Sequence, residues 1–192
     1  MKRLIEELCT IPEVAELLAC AENGGCPAAM TGPGGVHRAQ LCAAVAAKTG
    51  RPLLVLCSDD GEAARMAADL SGMMGDSCDV LPAREFQFHN AAVASRGWEQ
   101  KRVEVLYRMA AGTARAVVTT PEALLQRTMP AKTLLEQTLT LHLEDSADLN
   151  ELSEKLIHLG YTRCEQVEGV GQFALRGGIL DVYGPGREAP VR

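Results

Sequence analysis

Between residues 26 and 127, apolar runs of strand length alternate with stretches of helical periodicity. This alternation limits the possible fold more than any other feature. Residues 52–57, P-L-L-V-L-C, form a continuous apolar run that suits a strand covered on both faces. Residues 78–81 and 115–119 read as two further strands, and 26–31 as another short buried one. Apolar residues three and four apart predict helices over 36–49, 61–74 and 98–111. The stripe on the last comprises Trp98, Val105, Leu106 and Met109. Ser58 or Asp59 suits the start of the second helix, and Thr120-Pro121-Glu122 starts another with a hydroxyl cap, a proline and an acid. Strands and helices in this order give a doubly wound, mostly parallel sheet, an α/β domain. Two helices precede it, over 3–9 and 12–21, with Thr10 as the expected cap of the second.

From Leu134 the pattern changes. Residues 137–143, Q-T-L-T-L-H-L, alternate as a half-buried strand would. Asp148 and Glu151 make a capping-box-like start, Leu149, Leu152, Leu156 and Leu159 give a helical stripe, and Gly160 closes it. The stretch 165–186, E-Q-V-E-G-V-G-Q-F-A-L-R-G-G-I-L-D-V-Y-G-P-G, then reads as short strands folded back by glycine. Gly169 and Gly171 supply a tight reversal, because glycine takes positive φ without steric cost. Phe173 and Leu175 fall on one face, Ala174 and Arg176 on the other. Gly177-Gly178 marks a bend or bulge, and Gly184-Pro185-Gly186 a stop. The expectation is a small antiparallel sheet with an apolar face and a face carrying Arg176. Met129-Pro130 is the expected seam, giving two domains, 1–130 and 131–192.

Charge and composition exclude several functions. A net charge of −6 argues against a stand-alone nucleic-acid binder that works by phosphate neutralisation. Aromatic residues make up 4%, too few for a base-stacking platform. No apolar run approaches the roughly 18 residues of a membrane span, and acids interrupt the N-terminal M-K-R-L-I-E-E-L, so neither a membrane nor a secretory signal is expected. The seven cysteines lack a C-x-x-C pair and the four histidines are scattered, so reduced thiols in a cytoplasmic protein are expected and no metal site.

Thr31-Gly32-Pro33-Gly34-Gly35 lies between a predicted strand and a predicted helix, the layout of a phosphate cradle. A working cradle also needs a lysine for the β/γ-phosphates and a Ser or Thr hydroxyl for magnesium. No strand ends in an acidic pair that would organise the metal. Thr31, Gly32, Gly34 and Gly35 are therefore read as a degenerate phosphate loop, with no catalytic residue.

G-Q-F-A-L-R-G-G-I-L-D-V-Y at 171–183 resembles the strand signature shared by the bacterial transcription-repair coupling factor (Mfd) family and the excision-repair protein UvrB. P-E-A-L-L-Q-R at 121–127 and L-P-A-R-E-F-Q-F-H at 81–89 are more similar to the coupling factors. The resemblance covers nearly the whole chain. It implies a RecA-like, P-loop NTPase-type domain followed by a small α+β module that binds UvrA. UvrB-type proteins carry T-G-S-G-K-T at the glycine loop; here Gly35 and Val36 stand at the Lys and Ser/Thr positions. T-T-P-E-A-L-L resembles a helicase-type motif and is read here as structural. The irregular stretch 84–97, with Phe86, Phe88 and His89, lacks the tyrosine cluster of UvrB's damage-clamping hairpin.

For the partner surface the resemblance implies Arg163, Phe173 and Arg176. Arginine suits it through its planar fork, and Phe173 serves equally well as core or anchor. UvrB has a further arginine where Ala174 stands. By the same resemblance, these residues are the non-catalytic N-terminal part of a longer protein and take no cofactor. ATP and magnesium belong to motor domains elsewhere, which also contact RNA polymerase and DNA and mask the UvrA surface. The alternatives are a UvrB-like DNA damage-binding subunit and a nucleotide-binding NTPase domain.

Overall fold

The computed structural model describes residues 2–24, 27–75, 78–83, 97–142 and 146–192. The expected irregular stretch 84–97 lies outside these save for its last residue, and Cys26 is likewise outside. The chain groups into two units that are discontinuous in sequence: 1–83 with 112–127, and 84–111 with 128–192.

In the first unit, α1 (Lys2–Leu8) and α2 (Pro12–Asn23) lead to α3 (Gly35–Thr49), β1 (Leu53–Leu56), α4 (Asp60–Met74) and β2 (Asp79–Leu81). The chain returns as β3 (Ala116–Thr119) and the short α6 (Pro121–Leu125). The three strands form a parallel sheet in the order β1-β3-β2, so the strand latest in sequence is central. All four residues of β3 are buried. Its Thr119 hydroxyl is satisfied by donating to the Leu81 carbonyl at 3.0 Å.

One face of this sheet packs on α3 and α4 through Val118, Leu53, Val55 and Val80. The helices answer with small and flexible residues, Ala39, Ala43, Ala63 and Ala67 beside Met66, Leu70 and Met73, which lets them approach the sheet and each other closely. Leu70 is fully buried, and truncating it to alanine costs about 2–5 kcal/mol. Behind α3, Val14, Leu18 and Ala44 join α2 to it. Glycines in the left-handed conformation end α2, α3 and α4 at Gly24, Gly50 and Gly75.

Several expectations need correction. Residues 27–31 form no strand and are exposed apart from the half-buried Met30, so among the described residues no strand leads into the glycine loop. β1 is not covered on both faces: it is an edge strand, with Leu54 and Leu56 47% and 52% exposed. Thr10 does not cap α2. Ile11 occupies that position, and the Thr10 hydroxyl donates back to the Glu7 carbonyl.

The second unit contains α5 (Gly97–Ala110), α7 (Ala131–Glu136), α8 (Leu149–His158), β4 (Thr162–Arg163), β5 (Gln172–Arg176) and β6 (Ile179–Tyr183). Residues 137–142 form no strand; they are irregular and mostly exposed. Asp148 caps α8 by accepting from the backbone N–H groups of Asn150 and Glu151. Leu152 and Leu156 are buried on that helix, which packs against β4 and β5.

The C-terminal sheet is mixed rather than wholly antiparallel, because β4 runs parallel to β5. Gly177 and Gly178, at φ 54° and 91°, make a two-residue hairpin turn instead of a bulge. Beyond β6, Val191 and Val182 exchange two backbone hydrogen bonds of 2.8 Å.

Candidate functional site

The glycine loop was the first candidate. Thr31, Gly32, Gly34 and Gly35 are all exposed. Gly34 is the extended N-cap of α3 and offers no side chain to it. The nearest cation on the helix, Arg38, is already engaged, with Nη1 2.8 Å from Glu62 Oε1.

Glu62 also accepts from the Ser58 backbone N–H at 2.9 Å and from its hydroxyl at 2.8 Å. These bonds hold its carboxyl below the usual carboxylate range. Asp59 is held low in the same way, chiefly by the Glu62 backbone N–H that it caps. The ionised Glu62 carboxylate thus faces the first turn of α3, where it meets Arg38. With Gly35 and Val36 supplying neither ammonium nor hydroxyl, the residues present do not fit a magnesium–nucleotide group.

The second candidate is the end of the C-terminal sheet. The two-residue turn sets the β5–β6 register: Arg176 opposite Ile179, Leu175 opposite Leu180, Ala174 opposite Asp181, Phe173 opposite Val182. Partners across a ladder share a face. Ala174, Arg176, Ile179 and Asp181 therefore line one face, and Phe173, Leu175, Leu180 and Val182 the other. In the parallel pair, Arg163 is in register with Phe173.

The three residues expected to act together are thus split. Arg163 and Phe173 belong to one face and Arg176 to the opposite one. Phe173 is fully buried, so its ring fixes β5 from inside and is not presented at the surface. Arg163 is exposed, as is the Arg176 side chain at 59%. The two arginines still meet at one shallow surface depression, lined by Arg163, Cys164, Glu165, Leu175 and Arg176.

Sequence reasoning missed two residues here. Asp181, 9% exposed, lies between two guanidinium groups. Arg192 closes on it with both ends, Nε to Oδ1 at 2.8 Å and Nη2 to Oδ2 at 3.2 Å. Arg176 Nη2 reaches the same Oδ2 at 3.4 Å. Hydrogen bonding from Arg192 first, and from Arg176 after it, holds the Asp181 carboxyl below its ordinary range. A signal was available: once Gly177-Gly178 is counted as a two-residue turn, Asp181 falls diagonally beside Arg176.

The strands leading into this site are tied down by side chains. Gln172 Oε1 accepts from the backbone N–H groups of Glu168 and Gly169 at 2.9 and 3.0 Å. Gln100 Nε2 on α5 donates to the Val170 carbonyl. Among the described residues no group of His, Cys, Asp or Glu could hold a metal ion, and no helix is long and apolar enough to cross a membrane.

Residues 139–192 match the family model of the UvrB interaction domain. Along 98% of its length the chain is similar, at 33% identity, to the transcription-repair-coupling factors of Mycobacterium tuberculosis and Mycobacterium bovis. It is 27% identical over 85% of its length to that of Bacillus subtilis. The chain spans 16% of the length of the mycobacterial relatives and 14% of the Bacillus one. Residues 139–192 thus carry the match to the UvrB interaction domain family, and the chain as a whole is similar to one segment of the transcription-repair-coupling factors.

Proposed function

We propose that this chain is a non-catalytic recruitment region that captures UvrA for transcription-coupled excision repair. The match of residues 139–192 to the UvrB interaction domain family carries this reading. Arg163 and Arg176 make the contact at the open end of the C-terminal sheet, and Phe173 holds β5 from beneath. Exposed arginine beside a small apolar surface is the chemistry of an interface hot spot. Ile179, 46% exposed and opposite Arg176, supplies the apolar part.

The reading extends to the parts. Residues 1–130 form a RecA-like domain with a degenerate phosphate loop, and 131–192 the docking module. The parallel β1-β3-β2 sheet backed by α3 and α4 supports the first assignment. Neither part takes nucleotide or magnesium. In a protein of the relatives' length, ATP-driven translocation, RNA polymerase and DNA contacts and masking of the docking face fall to other domains, and the protein works in the cytoplasm.

The test is a pull-down of purified UvrA with the chain and with Arg176→Glu. The substitution abolishes capture while circular dichroism and melting stay unchanged. Capture retained by the variant removes Arg176 from the contact, and no capture by the unaltered chain overturns the reading.

A further inference from the structure

Arg176 is not a loose surface charge. Asp181 holds it from one side and is itself held by Arg192 from the other. We propose that Asp181 is a positioning residue of the docking face: anchored by Arg192, it aims the Arg176 guanidinium at carboxylates on the partner protein. The inference rests on the recruitment reading above.

The geometry is asymmetric in the required way. Arg192 occupies both oxygens of Asp181 at 2.8 and 3.2 Å, whereas Arg176 touches one oxygen at 3.4 Å. Guanidinium carries five N–H donors, and this contact uses one, which leaves a fork able to meet a carboxylate with two bonds. Exposure follows the same order. Asp181 sits inside the sheet's surface at 9%, while most of the Arg176 side chain reaches solvent.

The charge is also suitable. Two guanidinium groups around one carboxylate leave the cluster with a single net positive charge, so it attracts anions although the whole chain is acidic. A tethered arginine also loses less rotamer freedom when a partner immobilises it than a free one does. Tethering thus favours binding, although Asp181 has the wrong charge to contact an acidic partner itself.

The experiment titrates purified UvrA against the chain, D181N, R176K and the double variant, with circular dichroism and melting as folding checks. D181N weakens binding by about 3- to 5-fold, the upper range for a partly exposed charged contact. In the R176K background the same change shifts affinity by less than about 2-fold, because lysine has no fork to aim and the coupling is gone. If D181N does not fold, R192Q releases Asp181 from its other side and takes its place with the same expected loss.

Unchanged or tighter binding by D181N overturns the proposal. An equal loss in both backgrounds also overturns it, because the residue then acts on the fold and not through Arg176. Failure of the unaltered chain to bind UvrA is a different result. It sinks the recruitment reading, and this inference with it.

Discussion

Gln100 of α5 donates its side-chain amide to the carbonyl of Val170 at 2.7 Å, joining two residues 70 positions apart. The same nitrogen lies 3.2 Å from where a Cβ on Gly171 would stand. Gly171 has φ 80°, so the reversal that delivers β5 needs glycine for its backbone and a free approach for Gln100.

Gln100→Ala leaves the Val170 carbonyl without this partner. Its stability falls by about 1 kcal/mol, the usual net value of one hydrogen bond. Gly171→Ala costs more, since a left-handed conformation and a crowded neighbour both oppose the methyl group. Urea unfolding followed by circular dichroism orders the two variants, and a larger loss for Gln100→Ala contradicts the assignment.

The β5–β6 turn separates its two glycines. Gly177, at φ 54°, occupies a conformation that asparagine adopts readily, and Gly178, at φ 91°, one that only glycine adopts freely. Gly177→Asn is therefore close to neutral, while Gly178→Ala loses about 1 kcal/mol or more. Thermal melts of the two variants give the comparison directly.

Acid should release the Asp181 cluster. Its folded-state pKa lies below the ordinary value near 3.9, so its contribution to stability is complete above about pH 4 and disappears as pH falls through the lower, folded value. Melting temperature measured from pH 6 to pH 2 falls more for the unaltered chain than for Asp181→Asn, and the two curves converge at the acid end. Parallel curves over that range mean that Asp181 does not titrate with folding.

Nucleotide should not bind at the glycine loop. Arg38 is engaged by Glu62, and no ammonium or hydroxyl occupies the positions at 35 and 36. Calorimetry with ATP and magnesium gives no heat of binding at micromolar concentration. A saturable signal lost on Gly34→Val revives a phosphate site there.

The sequence made the helices easy to read, because their ends carry chemistry. Gly24, Gly50 and Gly75 stop α2, α3 and α4, and Asp59, Thr120 and Asp148 start α4, α6 and α8 with side-chain bonds to the first turn. Strands were legible only where a neighbour exists. The alternation at 137–143 has the right period, but Leu139 and Leu141 have no ladder partner among the described residues, and period alone does not pair a strand. The apolar run of β1 was read as buried on both sides because composition cannot tell a central strand from an edge strand. At the site, Arg176 was named by the family resemblance, and the strand alternation placed it on its face. Asp181 and Arg192 were missed because their meeting depends on the turn length and on the Val182–Val191 pairing.

The discontinuous grouping of the chain has a practical consequence. The helix that braces the reversal before β5 is encoded upstream of β3, whereas the family match begins at residue 139. Transplanting 139–192 as a cassette leaves this brace behind. A graft that includes 97–110 on a designed connection keeps it, and the difference in yield of folded graft measures how much the module borrows from its host.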